Sequence, residues 1–229
     1  MLSAQEIEAL RLSIIVAGGS VVLTLPIAIL VAWLLARGRF VGRWLLDALV
    51  HLPLVLPPVV VGYLLLLLFG LHGPLGHWLH QWFGIRLAFT TGGAILATAV
   101  MTLPLSVRSV RLALDGIDPG LEEAARTLGA GPFDRIVSIT LPLMLPGIIA
   151  GAITAFAAGL GEFGAIITFA SNIPGETRTL PLALYTALQS PMGDQSALRL
   201  ALLSLTLGAF GLLCAERLSR RLGRRLGRG

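Results

Sequence analysis

Glu123-Ala124-Ala125-Arg126-Thr127-Leu128-Gly129, nine residues, and then Ile139-Thr140-Leu141-Pro142 interrupt a chain that is otherwise largely apolar enough for a membrane. Just upstream, Asp118-Pro119 reads as a helix N-cap followed by proline at the first helical position. Glu122 and Glu123 then fall in the first turns, where a carboxylate suits the helix dipole. Leu121, Ala124, Ala125 and Leu128 recur at i, i+3, i+4 and i+7, which makes one narrow apolar stripe. Gly129 stands where a C′ glycine closes a helix, and Pro132 can open the next. The stripe is too slight to anchor a core, and its alanines let another surface come close. The reading is a polar helical hairpin that docks into a partner's groove rather than a routine connector.

The surroundings make that hairpin unusual. Of 229 residues, 55% are hydrophobic and 13% charged, too apolar for a soluble domain of this length. Five segments reach the roughly 20 apolar residues that cross a bilayer as a helix. They lie at about 12–36, 50–70, 93–113, 143–170 and 198–216. The piece from Thr179 to Gln189 follows the Asn172-Ile173-Pro174-Gly175 turn signal and is too short to cross, so it reads as a re-entrant or surface helix. Pro74 to Ile85 carries Trp78, Trp82 and Phe83, as a segment at the membrane interface does. Met1 to Leu10 holds Glu6 and Glu8 rather than a basic region, so the first apolar run reads as a retained span and not a signal peptide.

All 17 basic residues are arginine. Without lysine the chain can supply neither the P-loop lysine nor a Schiff-base nucleophile, so any ATPase that drives it must be another subunit. The arginines also orient it. Stretches 37–43, 108–135 and the tail from 217 hold three, four and six, whereas the alternate side holds Arg11, Arg86, Arg178 and Arg199. The positive-inside rule then places the N-terminus outside and the C-terminus and hairpin in the cytoplasm. The net charge of +5 is read as a topology anchor beside anionic lipid and not as nucleic-acid binding. Cys214, the one cysteine, excludes an internal disulfide and a cysteine metal cluster and reads as a small buried residue.

The expected fold is therefore an all-α integral membrane protein. Residues 1–229 form one transmembrane domain with five spanning helices, and a coupling-helix loop at about 115–142 joins spans three and four. Within the spans, Pro26, Pro53, Pro57, Pro58, Pro104 and Pro146 each remove a helix hydrogen bond. Freed carbonyls must face protein or water, so the adjacent pair Pro57-Pro58 is a candidate for the transport pathway. Gly147 and Gly151 form a small-xxx-small pair suited to close helix packing. Glu162 lies in the fourth segment within Gly159-Leu160-Gly161-Glu162-Phe163-Gly164. This stretch matches G-x-G-x-x-G but has no strand before it, and its glutamate would repel a pyrophosphate. Glu162 is left with three roles: a structural partner, with Arg108, Arg111 and Arg178 as candidates; a proton relay; or a gate element. Thr102, Ser106, Thr154 and Thr168 are polar lining candidates or else bond back to their own helices. No arginine falls at the middle of a span.

The hairpin pattern resembles, without gap or substitution, the EAA loop of ABC importer permeases. His51-Leu52-Pro53-Leu54-Val55-Leu56-Pro57-Pro58-Val59-Val60-Val61-Gly62-Tyr63 looks like the second-span signature of molybdate importer permeases. Leu160 to Ala165 and Ser171 to Thr179 are similar to the same subgroup. Sulfate permeases share the Gly-Glu-aromatic-Gly element but usually differ after Asn172-Ile173. The resemblance implies a permease homodimer, two ATP-binding subunits docked on the EAA loops, and an extracytoplasmic oxyanion-binding protein. ATP and magnesium would sit on the ATPases and no cofactor on this chain. The implied coupling residues are Glu123, Ala124, Ala125, Leu128, Gly129, Ile139 and Pro142. Pathway or gate candidates are Pro57, Pro58, Gly161, Glu162 and Gly164. Some relatives carry an additional N-terminal span or a C-terminal regulatory domain that binds the oxyanion; neither is expected here, since the 13 residues after Glu216 are too few for such a domain. Sulfate, thiosulfate or tungstate are the alternative cargoes. The readings from other classes are a channel or transporter working without ATP and a membrane-embedded hydrolase. The four histidines, His51, His72, His77 and His80, form no H-E-x-x-H pair for the latter.

Overall fold

A computed structural model describes residues 3–191 and 193–225, with side chains left out at 212, 214–216 and beyond 217, so the Cys214 side chain lies outside the described residues. Every regular element among the described residues is helical. In chain order these are α1 (Ala4–Arg37), α2 (Arg43–Val55), α3 (Pro58–Phe69), α4 (Pro74–Phe83), α5 (Thr91–Asp115), α6 (Pro119–Thr127), α7 (Pro132–Arg135), a π-helical turn (Ile136–Thr140), α8 (Leu141–Leu160), α9 (Gly164–Phe169), α10 (Leu180–Leu188) and α11 (Asp194–Arg225).

The centre is the packing of α1, α5 and α8, and small residues make it. Along α1 the buried positions include Ala9, Ser13, Ala17, Ser20, Thr24, Ala28 and Ala32, a stripe at helical spacing. Lipid tails are as apolar as a leucine core, so helices associate in a membrane by close van der Waals fit and short polar contacts. Both are present here. A Cβ on Gly147 would strike the Ala113 side chain, and one on Gly151 would meet Ser109 Cβ at 3.3 Å. Ser109 Oγ donates to the Gly147 carbonyl at 3.0 Å, and Ser106 Oγ to that of Gly151 at 3.4 Å. The glycine pair is thus a packing seam.

Helix α1 starts earlier than the apolar run because Ser3 and Glu6 form a capping box. Arg199 Nε also donates to the buried Glu6 at 2.9 Å, which fastens α11 to the start of α1. Pro26, Pro53, Pro104 and Pro146 all sit inside continuous helices.

Two of the expected spans are corrected. The 50–70 segment is not one straight helix: α2 and α3 meet at a bend of 118°. A residue before proline is pushed out of the helical region, and here that happens twice in succession. Leu56, before Pro57, has ψ 142°, and Pro57, before Pro58, has ψ 134°. The 143–170 segment is not one helix either. Its helical stretch begins at Pro132, because α7 and the π turn run on into α8, and it stops at Leu160. Two glycines in three residues weaken the helix there, and the chain resumes as the six-residue α9. Among the described residues, three helical stretches, Ala4–Arg37, Thr91–Asp115 and Pro132–Leu160, are individually long and apolar enough to cross a membrane, and the bent α2–α3 pair makes a fourth if counted together. As the sequence indicated, α10 is too short to cross; its Leu180 and Leu182 are buried.

Candidate functional site

The hairpin forms as its caps dictate. Asp118 accepts the Gly120 N–H at 2.8 Å and Pro119 opens α6. At the other end the Gly129 N–H bonds the Arg126 carbonyl at 3.1 Å and the Ala130 N–H that of Ala125 at 3.0 Å. These are the two bonds of a Schellman motif, and Gly129 takes the left-handed φ of 88° that the motif demands. Pro132 opens α7. No residue of α6 is buried, and Leu128 at its end is 88% exposed. Ala125, Leu128, Gly129, Ser138 and Ile139 line one shallow groove between the end of α6 and the π turn. Four of the expected coupling residues therefore converge. Glu123 and Ala124 stand exposed on α6 outside that groove, and Pro142 is exposed in the first turn of α8.

What holds the hairpin in place is Glu122, which sequence reasoning credited only with a helix-dipole effect. Its Oε1 takes Arg37 Nη2 at 3.1 Å and the Thr140 hydroxyl at 3.2 Å. One carboxylate thus joins α6 to the end of α1 and to the π turn. Nothing local in the sequence separates Glu122 from its neighbour Glu123, because both partners are remote along the chain.

The pathway candidates converge as well, at the crossing of the two interrupted segments. A Cβ on Gly164 would meet Pro58 Cβ at 2.7 Å, and one on Gly62 would meet the Ala165 carbonyl at 2.7 Å and Thr168 Cβ at 2.8 Å. Helix α3 therefore lies almost backbone to backbone on α9. Gly62 was not singled out from the sequence, although a lone glycine in an apolar run signals close approach. Pro57, Pro58 and Gly161 are exposed beside this crossing.

Glu162 sits in the break itself, a correction to its expected place inside a span. Its Oε1 accepts the Ala165 N–H at 2.9 Å, capping α9. Of the arginines considered for it, Arg111 pairs with Asp47 and Arg178 Nε donates to Asn172 Oδ1. None reaches Glu162 among the described residues. The neighbouring Phe163 ring lies 5.2 Å from that of Tyr185, so α10 braces the break. Thr102, Thr154 and Thr168 bond back to their own helices, and Ser106 is buried against α8.

A family profile described as "Binding-protein-dependent transport system inner membrane component" matches residues 24–224. The chain belongs to that family. It is thus a multi-pass inner membrane protein. Over 228 residues, all of both chains, it is 55% identical to the Molybdenum transport system permease protein ModB of Escherichia coli (strain K12). Identity to the ModB of Haemophilus influenzae is 51% over 224 residues, 98% of each chain. The Sulfate transport system permease protein CysT of Escherichia coli (strain K12) is 38% identical over 198 residues, 86% of this chain and 71% of that one. Among solved structures, a bacterial ABC transporter for import of the acidic polysaccharide alginate aligns with TM-score 0.76 at 21% identity, covering 96% of this chain and 80% of that chain. The MetNI methionine ABC transporter aligns with TM-score 0.67 at 18% identity, covering 95% and 94%. These likenesses establish an ABC transporter permease fold.

Proposed function

We propose that this chain is the membrane-spanning permease subunit of an ATP-driven importer for molybdate, working as a pair of identical copies. The observation that carries the reading is the hairpin: a well-capped helix with no buried residue, held out by Glu122, presenting a shallow groove of mixed apolar and polar lining to something else. Full-length identity to molybdenum permeases of 55%, against 38% to a sulfate permease, favours molybdate over sulfate.

In this reading the chain is one transmembrane domain of five spans, with the N-terminus outside and the hairpin and C-terminus in the cytoplasm, an orientation that the arginine distribution supports. Spans one, three and four are α1, α5 and Pro132–Leu160. Span two is the bent α2–α3 pair, and span five is α11. Two ATPase subunits, which hold ATP and magnesium, each grip one hairpin through Ala125, Leu128, Gly129 and Ile139. Glu123, Ala124 and Pro142 form the rim of the contact. A binding protein delivers the oxyanion from outside. Closure of the ATPase pair pushes on α6, and the shared Glu122 carboxylate passes that push to α1 and, through the π turn, to α8. Pro57, Pro58 and Gly161 face the second copy across the pathway, and Glu162 holds the break open by capping α9.

The test is to purify the chain from its own operon context and assay labelled molybdate uptake in vesicles. A stoichiometric ATPase and ATP-dependent uptake are expected. Repeated purification without an ATPase, or uptake indifferent to ATP, would overturn the reading in favour of an ATP-independent channel.

A further inference from the structure

A second polar cavity lies between α2 and α5, apart from both the hairpin groove and the α3–α9 crossing. Asp47, His51, Arg108, Arg111, Leu112 and Asp115 line it. Its charges are unevenly spent. Arg111 Nη1 pairs with Asp47 Oδ1 at 3.1 Å, and Arg111 Nε lies 3.7 Å from Asp115 Oδ2. His51 Nδ1 lies 2.9 Å from the Asp47 carbonyl oxygen and 3.3 Å from Asp47 Oδ1, so its N–H is shared between two acceptors of Asp47. Both carboxylates thus face Arg111. Arg108 lines the same cavity, is exposed, and has no hydrogen bond or ion pair among the described residues.

Arg108 precedes the end of α5 by seven residues, about 10 Å of helix. A guanidinium near the end of a span that has no counter-charge is expected to face water or an anion. Arg108 and Arg111 are three apart, so they share a helix face. Arg111 is already taken up by Asp47 and Asp115, so Arg108 is the guanidinium whose donors stay available to hold an oxyanion by charge-assisted hydrogen bonds. The two aspartates beside them keep the site from holding a dianion tightly. His51 lies six residues before Pro57, about 9 Å along α2 from the break. The cavity therefore lies on the α2 side of the Pro57-Pro58 break.

We infer that Arg108, beside the carboxylate-paired Arg111, forms a low-affinity station for a tetrahedral oxyanion, a place where an anion leaving the pathway meets a guanidinium without a counter-charge. This rests on the importer reading for its direction but not for its chemistry. The same chemistry would fit a free oxyanion or the phosphate of an anionic lipid.

The test is equilibrium binding of labelled molybdate to the purified complex, free of nucleotide and binding protein, in nanodiscs of phosphatidylcholine with or without phosphatidylglycerol. Sulfate and inorganic phosphate serve as competitors. Arg108→Gln should weaken binding roughly ten-fold or more, the loss of a charge-assisted hydrogen bond. Arg108→Lys should recover part of it, and the elution volume of the complex should stay unchanged. Binding equal in both discs identifies free oxyanion as the occupant. Binding abolished by phosphatidylglycerol identifies the lipid phosphate. Arg108→Gln that binds like the parent in both discs overturns the station. So does Arg108→Gln that only splits the pair of copies, since Arg108 would then be an ion-pair partner of the second copy. Parent vesicles that move no molybdate, tungstate or sulfate would sink the importer reading, and binding of the three anions would still decide the cavity.

Discussion

Gly129 and Gly164 are both glycines that the fold requires, for opposite reasons. At Gly129 a Cβ would meet nothing within 4 Å, yet φ is 88°, so the requirement comes from its own backbone. At Gly164 a Cβ would press on Pro58, so the requirement comes from a neighbour about a hundred residues away in the chain. The contrast extends to the two regions. The hairpin is made by short-range chemistry, an N-cap, a Schellman turn and a proline start, and it buries nothing in α6. The crossing is made by distant segments pressed together, with Gly164, Ala165 and Phe169 buried. A surface reserved for a partner is kept independent of the core, whereas a pathway wall is part of it.

Substitutions should separate the two. The largest effect on stability is expected at the crossing. Gly164→Val and Gly62→Val each force extra volume into backbone contact, at a cost of about 1–3 kcal/mol or more. The thermal midpoint of the purified chain in detergent should drop, and uptake should fall with it. A Gly164→Val chain with the parent midpoint would mean that α3 and α9 are not in close contact. Next comes Gly129→Leu. It bears only the left-handed strain of about 1–2 kcal/mol, so membrane insertion should survive while uptake is abolished. Normal uptake in that variant would refute docking through the hairpin.

The same contrast decides what could be read from sequence. The caps and apolar stripe of α6 from Asp118 to Pro132 are fixed within one or two helical turns, so spacing alone located its start, its stripe and its end. The breaks were only half legible. Pro57-Pro58 announced an interruption, but a bend of 118° depends on what α3 then packs against. The interruption after Leu160 was missed because Gly161, Glu162 and Phe163 lie in an apolar stretch whose hydropathy stays span-like across the break. An internal partner was one of the three roles left open for Glu162, with arginines as the candidates, and the structure gives it a different kind of partner. That partner is a backbone N–H three residues on, which competes well with a distant arginine because it needs no second side chain to be ordered. Glu122, Gly62 and the Asp47–Arg111 pair were illegible for a common reason: each is defined by a contact between distant parts of the chain.

Glu122→Gln tests the link between the two regions. The pair with Arg37 is partly exposed, so its loss should cost only about 0.2–1 kcal/mol of stability. If Glu122 transmits movement from α6 to α1 and the π turn, ATPase binding should persist while ATP hydrolysis ceases to drive uptake. Parent-like coupling, measured as molybdate moved per ATP, would reduce Glu122 to an ordinary surface ion pair.

Leu128→Ala should have the smallest effect on the fold and is the sharpest probe of what the hairpin is for. At 88% exposure, Leu128 has almost no packing to lose, and surface changes of this kind usually stay within about 0.5 kcal/mol. A leucine is nonetheless placed at the mouth of the groove formed with Ala125 and Ile139. If an ATPase surface fills that groove, truncation removes a contact near the interface centre, where losses above about 1 kcal/mol are concentrated in few residues. The expected result is an unchanged thermal midpoint with several-fold weaker ATPase association, read by titrating the purified ATPase onto the permease in nanodiscs. Unchanged association would leave α6 a capped connector, whose exposed leucine serves no partner.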